Sequence, residues 1–204
     1  MRQVTGVKQM TQTKFLNLYE LDMKNEDGTH SAYYVSSRAK SIDGLKLSTH
    51  KNTADGVIIY SLYGEKGDRV VLIRQYRCPL DGYIYEFPAG LVDPGETFKE
   101  AGVRELKEET GLDFTPVHAP EEYCKPFFTT VGMTDESCGT IYGYASGTPT
   151  RAGQEPTEDI EIVLADKAEV RRILREENVA IMCAYMLMHF LEAPEGHAFD
   201  FLKR

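Results

Sequence analysis

The stretch GLVDPGETFKEAGVRELKEETGL, from Gly90 to Leu112, constrains this chain more than any other part of it. Thr97 followed by Glu100 is a capping box, so a helix starts after Thr97 and carries its acidic residues from a fixed origin. Gly111 followed by Leu112 fits a left-handed C-terminal stop. At about 100° per residue, Glu105 and Glu109 lie roughly 40° apart around that helix, and Glu108 falls about 60° to one side of Glu105. Three carboxylates therefore crowd one face. Phe98, Ala101 and Gly102 share it, so it would ordinarily point inward. Several anions in a partly dry site must neutralise or find a cation. Carboxylate oxygens suit a hard divalent metal, Mg²⁺ or Mn²⁺. A solvated, salt-bridged helix face is the plainer alternative for a Glu-rich helix.

Gly90, Glu96, Arg104, Glu105, Leu106, Glu108, Glu109, Gly111 and Leu112 follow the spacing G-x5-E-x7-R-E-U-x-E-E-x-G-U, with U an aliphatic residue. At every fixed position the stretch resembles the signature of the Nudix hydrolases. The resemblance implies an α/β/α sandwich on a mixed β-sheet, of the α/β (α+β) class, in which water attacks a phosphorus of a diphosphate linkage. Metal ions would cancel phosphate charge, lower the pKa of bound water and orient the attack. The expected ligands are Glu105 and Glu109, with Glu108 close behind, and the resemblance adds the backbone carbonyl of Ala89. Arg104 stands too near these carboxylates to be a phosphate clamp and is expected to pair with Glu96 or Glu108.

The general base is expected outside the signature, because metal would occupy the signature carboxylates. The stretch FFTTVGMTDES, Phe127 to Ser137, resembles the mobile loop that supplies a catalytic glutamate in ADP-ribose pyrophosphatases, with Glu136 at the matching position. Thr130, Val131 and Gly132 stand where those enzymes usually show Ser-Pro-Gly, and an exposed acidic turn is the alternative reading. Upstream, RQYRCPLDGYIYEFPAG, Arg74 to Gly90, resembles the segment before the signature in ADP-ribose and nucleoside-diphosphate-sugar pyrophosphatases. There Arg77 is a candidate to grip phosphate bidentately and Glu86 to accept hydroxyl or base hydrogen bonds. Arg74 faces either substrate or solvent. Tyr19, Tyr33 and Tyr34 are candidates to stack on a nucleobase, with strand packing as the alternative.

In chain order, Phe15 to Met23 and Ser31 to Val35 read as a hairpin around Asn25 to Gly28, and Ser36 to Lys51 as a polar loop. Gly56 to Tyr63 and Arg69 to Tyr76 form a second hairpin around Gly64, Glu65, Lys66, Gly67 and Asp68. Strands follow at Tyr83 to Phe87, near Tyr123 to Phe127, at Gly139 to Ala145 and at Glu161 to Ala165, then helices at Asp166 to Glu176 and Val179 to Glu192. The implied division is an N-terminal β-hairpin extension, residues 1–50, for substrate and dimer contacts, followed by a hydrolase domain over 51–204. An isolated hairpin is marginal in water and needs a partner surface. Similar enzymes exchange this part across a two-fold axis, so a homodimer is expected.

A formal net charge of -9 argues against a nucleic-acid backbone as ligand. Cys78, Cys124, Cys138 and Cys183 are scattered without metal-ligand spacing, and five histidines show no ligand pattern, so free thiols in a reducing cytosol are expected. The N-terminus lacks the apolar core of a secretory signal, and the apolar run Val179 to Leu191 is too short to span a bilayer. A cytoplasmic protein without membrane contact is the expectation. The reading with most support is Mg²⁺-dependent cleavage of a nucleoside diphosphate linked to a sugar, ADP-ribose giving AMP and ribose 5-phosphate. A pyrophosphatase for GDP-mannose or another nucleotide sugar is the alternative within enzymes. A catalytically silent nucleotide-sensing module is the alternative outside them.

Overall fold

The structure, a computed structural model, describes residues 1–64 and 66–203; Glu65, which the sequence reading puts among the residues between the strands of the second hairpin, and Arg204 lie outside the described residues. In chain order the elements are β1 (Gln3–Gln9), β2 (Asn17–Lys24), β3 (His30–Ser37), the helical turn α1 (Lys46–Thr49), β4 (Gly56–Tyr63), β5 (Arg69–Arg77), β6 (Gly82–Glu86) and β7 (Ala89–Leu91). Helix α2 (Phe98–Thr110), β8 (Asp113–Pro116), the turn α3 (Glu121–Cys124), β9 (Phe127–Phe128), β10 (Ser137–Ser146), β11 (Ile160–Ala165), α4 (Lys167–Glu176) and α5 (Ile181–Glu192) complete the chain. The fold is α+β with a mixed sheet. Two compact units emerge, one from Met1–Asp55 with Pro126–Cys138, the other from Gly56–Lys125 with Gly139–Arg204.

In the first unit, β2 and β3 form the expected hairpin, and Gly28 in its turn adopts φ 86°, where a side chain would be strained. A third strand, β1, extends it antiparallel. Sequence patterning does not reveal β1, because a register shift between Val4 and Gly6 breaks the period of two. Along β2, Asn17, Tyr19 and Leu21 are buried. The 126–138 segment belongs to this unit through its own bonds: Ser36 N–H donates to Met133 O (2.9 Å), and Lys46 Nζ pairs with Asp55 (2.6 Å) and Ser137 Oγ. The strand expected near Tyr123 to Phe127 is a helical turn followed by a two-residue strand. Pro120 caps the turn, and Pro126 has no N–H to offer a ladder.

In the second unit the sheet runs β11-β5-β4-β10-β8, with β6 beside β5 and β7 beside β4. The β5 ladders to β11, β4 and β6, and the β8 edge, are antiparallel. Alternation along the central strands sends residues to two cores. Val57, Ile59 and Val71 meet Ala101 and Leu106 of α2, while Tyr60, Leu62, Val70 and Leu72 meet Val170, Ile173, Leu187 and Phe190 of α4 and α5. Helices on both faces make the sandwich. Asp166 caps α4 by accepting from Glu169 N–H at 2.8 Å. Residues Cys183, Leu187 and Phe190, spaced by four and three, are the buried stripe of α5. Each fully buried leucine of this kind contributes about 2 kcal/mol of transfer free energy. No helix among the described residues is long and apolar enough to cross a membrane.

Candidate active site

Helix α2 begins where its sequence dictates. Thr97 Oγ1 accepts from Glu100 N–H (3.3 Å), and Glu100 Oε2 accepts in return from Thr97 N–H (2.8 Å). The helix ends on Gly111, whose φ of 72° lets its N–H reach Lys107 O at 2.9 Å. Between these caps the helix approaches the sheet closely, because a Cβ on Gly102 would stand 2.4 Å from Ile141 Cδ1. That packing fixes where the carboxylates point.

Gly90, in β7, is required for one of them. A Cβ built there would lie 1.9 Å from Glu105 Cδ, so only glycine leaves room for the Glu105 carboxylate beside the strand. Glu109, 3% exposed, turns to the same strand and accepts from Ala89 N–H at 3.2 Å. Arg104 holds the remainder. Its guanidinium donates to both oxygens of Glu96 (3.1 and 3.0 Å), to Glu105 (2.8 Å), to Glu108 (2.9 Å) and to the carbonyl of Leu91 (3.1 Å). The expected pairing with Glu96 or Glu108 is present with both, and Glu105 is added.

The electrostatics follow. Hydrogen bonds from Arg104 hold Glu96 below the usual carboxylate range and keep Arg104 itself firmly cationic. Burial pushes Glu105 up, outweighing its bond to Arg104. Burial, with the charge of Glu105 second, raises Glu109 well above its ordinary value. Two adjacent carboxylates are thus short of positive charge even with Arg104 in place.

These side chains line a cleft of about 350 Å³ together with Gln75, Arg77, Ala89, Asp93, Glu155 and Glu158. Of the expected site residues, Arg77, Ala89, Arg104, Glu105, Glu108 and Glu109 meet there. Glu86 is attached through Arg77 Nε, 2.7 Å away. Among the described residues no three His, Cys, Asp or Glu side chains converge as an ion cage as they stand. Arg104 engages Glu105 and Glu108, and Glu109 faces a peptide N–H, so an ion would enter by displacing those contacts. The donors still fit a hard divalent ion: they are carboxylate oxygens, and two of the carboxylates stay short of positive charge with Arg104 in place.

Other expected residues are not among those lining this cleft. Tyr19 does not stack on a base: it is 0% exposed, and its hydroxyl donates to Ala39 O at 2.8 Å inside the first unit. Tyr33 and Tyr34 are exposed on β3, their hydroxyls donating to Gly132 O and to Glu20 (2.8 Å). Arg74 lies on the opposite face of β5 from Arg77, paired with Glu161 (3.1 Å) and 4.0 Å from the Tyr83 ring centroid, so it is a cross-strand structural residue. Glu136 belongs to the first unit, where Arg38 (2.9 Å) and Thr129 (3.2 Å) engage its carboxylate. The cleft residues that the sequence pattern does not point to are Gln75, Asp93, Glu155 and Glu158. Glu155 and Glu158 sit in a loop anchored to α2, Gln154 Nε2 donating to Glu109 O at 2.7 Å and Gly153 lying against the Glu108 backbone. The acidity of EPTED before β11 is their one visible signal.

Comparisons with known proteins point to one family. The ADP-ribose pyrophosphatase of Saccharomyces cerevisiae is 31% identical over 132 residues, 62% of this chain and 53% of that protein. An ADP-sugar pyrophosphatase of Mus musculus is 35% identical over 79 residues, 37% of this chain and 36% of that protein. The chain therefore spans about half the length, or less, of these curated relatives. A crystal structure of an ADP compounds hydrolase superposes with a TM-score of 0.61 at 19% identity, covering 86% of this chain and 83% of that one, and shows the shared fold. The NUDIX domain model matches residues 52–184, which include the whole of the acidic cleft. With its signature helix capped, its glycine making room for a carboxylate and its arginine gathering the rest, the chain belongs to the NUDIX family.

Proposed function

We propose that this protein hydrolyses the diphosphate bond of a nucleoside diphosphate joined to a sugar, with ADP-ribose and water giving AMP and ribose 5-phosphate. The observation that carries this reading is the cleft in which Glu105, Glu108 and Glu109 face Arg77. Nudix hydrolases generally need a divalent metal ion, and here Mg²⁺ is the proposed ion, with Mn²⁺ as substitute, held by Glu105, Glu108, Glu109 and the Ala89 carbonyl. Once bound, the ion supplies Lewis acidity toward the phosphate and acidifies water.

The protein's own groups do the rest. Arg77 binds phosphate oxygens, and Glu86 orients the guanidinium from behind. Glu158, on the cleft wall close enough to raise both Glu105 and Glu109, takes the proton from the attacking water. Glu136, the base expected from the sequence, is engaged by Arg38 and Thr129 and is the competing assignment. The new P–O bond forms as the bridging P–O bond breaks, and the departing phosphate carries off the electron pair.

A homodimer formed through the first unit is supported by its exposed Phe15, Leu16, Tyr34, Val131 and Met133, a monomer by light scattering at micromolar concentration being the opposing result. Turnover of ADP-ribose beside GDP-mannose and UDP-glucose, with Mg²⁺, tests the activity. Release of AMP from ADP-ribose at the highest kcat/KM is expected. Fast GDP-mannose cleavage beside negligible ADP-ribose cleavage overturns the substrate. Tight binding of ADP-ribose with no AMP released overturns the enzyme.

A further inference from the structure

Gln75 is a cleft residue whose chemistry the proposed hydrolysis leaves unused. On β5, Val71 packs against α2, and a period of two carries that face through Ile73 to Gln75 and Arg77. Gln75 is fixed in register by Ile84 on one side and Ile160 on the other. Its Oε1 is buried and has no hydrogen-bond partner, although buried amide oxygens are ordinarily satisfied. Leaving such an acceptor unmade destabilises the free protein, and a donor arriving with a ligand would relieve that cost.

Resting on the diphosphatase reading, we propose that Gln75 is a specificity-determining residue whose side-chain carbonyl accepts a hydrogen bond from a hydroxyl of the substrate's sugar. Three features fix the class of donor. An amide oxygen repels an ionised phosphate, and the ion's ligands are supplied by the three carboxylates and the Ala89 carbonyl, so the group seated on it carries hydrogen. The polar side chains of the cleft's other walls are carboxylates and two arginines, of which Glu105, Glu108 and Glu109 serve the ion and Arg77 the phosphate, so Gln75 is the one neutral amide side chain in the described lining. Arg77 stands two residues along the same face, about 7 Å of strand, which matches a sugar attached directly to the phosphate that Arg77 binds. Gln75 would thereby distinguish a diphosphate ester of a sugar from one of an alkyl alcohol.

Gln75→Met keeps the length of the side chain and removes the acceptor. Steady-state kinetics with ADP-ribose and with an ADP alkyl ester, Mg²⁺ saturating, are read beside the Tm of each protein. We expect KM for ADP-ribose to rise about fivefold to tenfold, the worth of one neutral hydrogen bond. Kinetics on the alkyl ester should stay within twofold, and Tm should be equal to or above that of the unsubstituted protein. An unchanged preference between the two substrates, or equal losses on both with a lowered Tm, overturns the assignment. Gln75→Leu replaces the Met variant if that one does not fold. Should the unsubstituted protein cleave neither compound, the diphosphatase reading fails by itself. Calorimetric binding of ADP-ribose in the presence of Ca²⁺ then decides Gln75, equal affinity in variant and parent overturning its role.

Discussion

Glu109→Gln separates the electrostatic cost of the cleft from its use. Glu109 is 3% exposed, its carboxylate accepts from Ala89 N–H, and burial holds its carboxyl well above the ordinary range. Without metal the folded protein therefore keeps a proton on Glu109 that the unfolded chain has already released. Fewer protons bound when unfolded means stability falls as pH rises, from the ordinary glutamate pKa through the raised one. Within that window the loss is up to about 1.4 kcal/mol per pH unit, or about 3–5 °C of Tm for a chain of this size. Glu105, raised for the same reason, adds in the same sense. Glutamine keeps an acceptor for Ala89 and carries no titrating proton. In a chelator, then, Glu109→Gln should melt above the parent at pH 8 and show a shallower decline between pH 5 and 8 by circular dichroism. Adding Mg²⁺ or Mn²⁺ should raise the parent's Tm by mass action and the variant's much less. A variant that melts below the parent at pH 8 in chelator, or one with an undiminished slope, refutes the reasoning.

Three further outcomes are expected. Gly90→Ala places a methyl 1.9 Å from the Glu105 carboxyl carbon and should lower kcat at least 10²-fold by displacing it, with near-normal far-UV dichroism; activity close to the parent's would show that β7 gives way instead. Arg104→Met leaves Glu96, Glu105 and Glu108 without their shared cation and should cost about 2 kcal/mol in urea unfolding, recovered in part by divalent ions. Glu158→Gln should lower kcat about 10²-fold or more with KM little changed, while Glu136→Gln stays within tenfold; the reverse order in single-turnover assays would return the base to the 126–138 segment.

The sequence carried the local parts of this site and little of its surroundings. Caps, helix phase and the Gly-to-Gly spacing depend on residues within a few turns of one another, so Thr97, Glu105, Glu109 and Gly111 are readable from their order alone. Arg74 and Arg77 illustrate the limit. They are three apart in a strand, hence on opposite faces, and only knowing which face α2 covers assigns one to the cleft and the other to Glu161. Tyr19 cannot be told from Tyr34 for the same reason: they stand on opposite faces of one hairpin, and which face is covered is a long-range fact. Glu155 and Glu158 reach the cleft through a loop with no periodicity, held by one glutamine and one glycine against α2. Strands β1 and β8 escape the pattern because a bulge interrupts one and the other is four residues long and ends in proline.

Strand β5 serves two masters along its length, feeding a hydrophobic core at its start and the cleft at its end. Because neighbouring side chains point to opposite sides, inserting or deleting a single residue between Val71 and Gln75 would turn Arg77 to the face of β5 away from the cleft. Length variation in descendants of this chain is therefore excluded from β5 itself, and a functional library that randomises length within β5 should return only the original spacing.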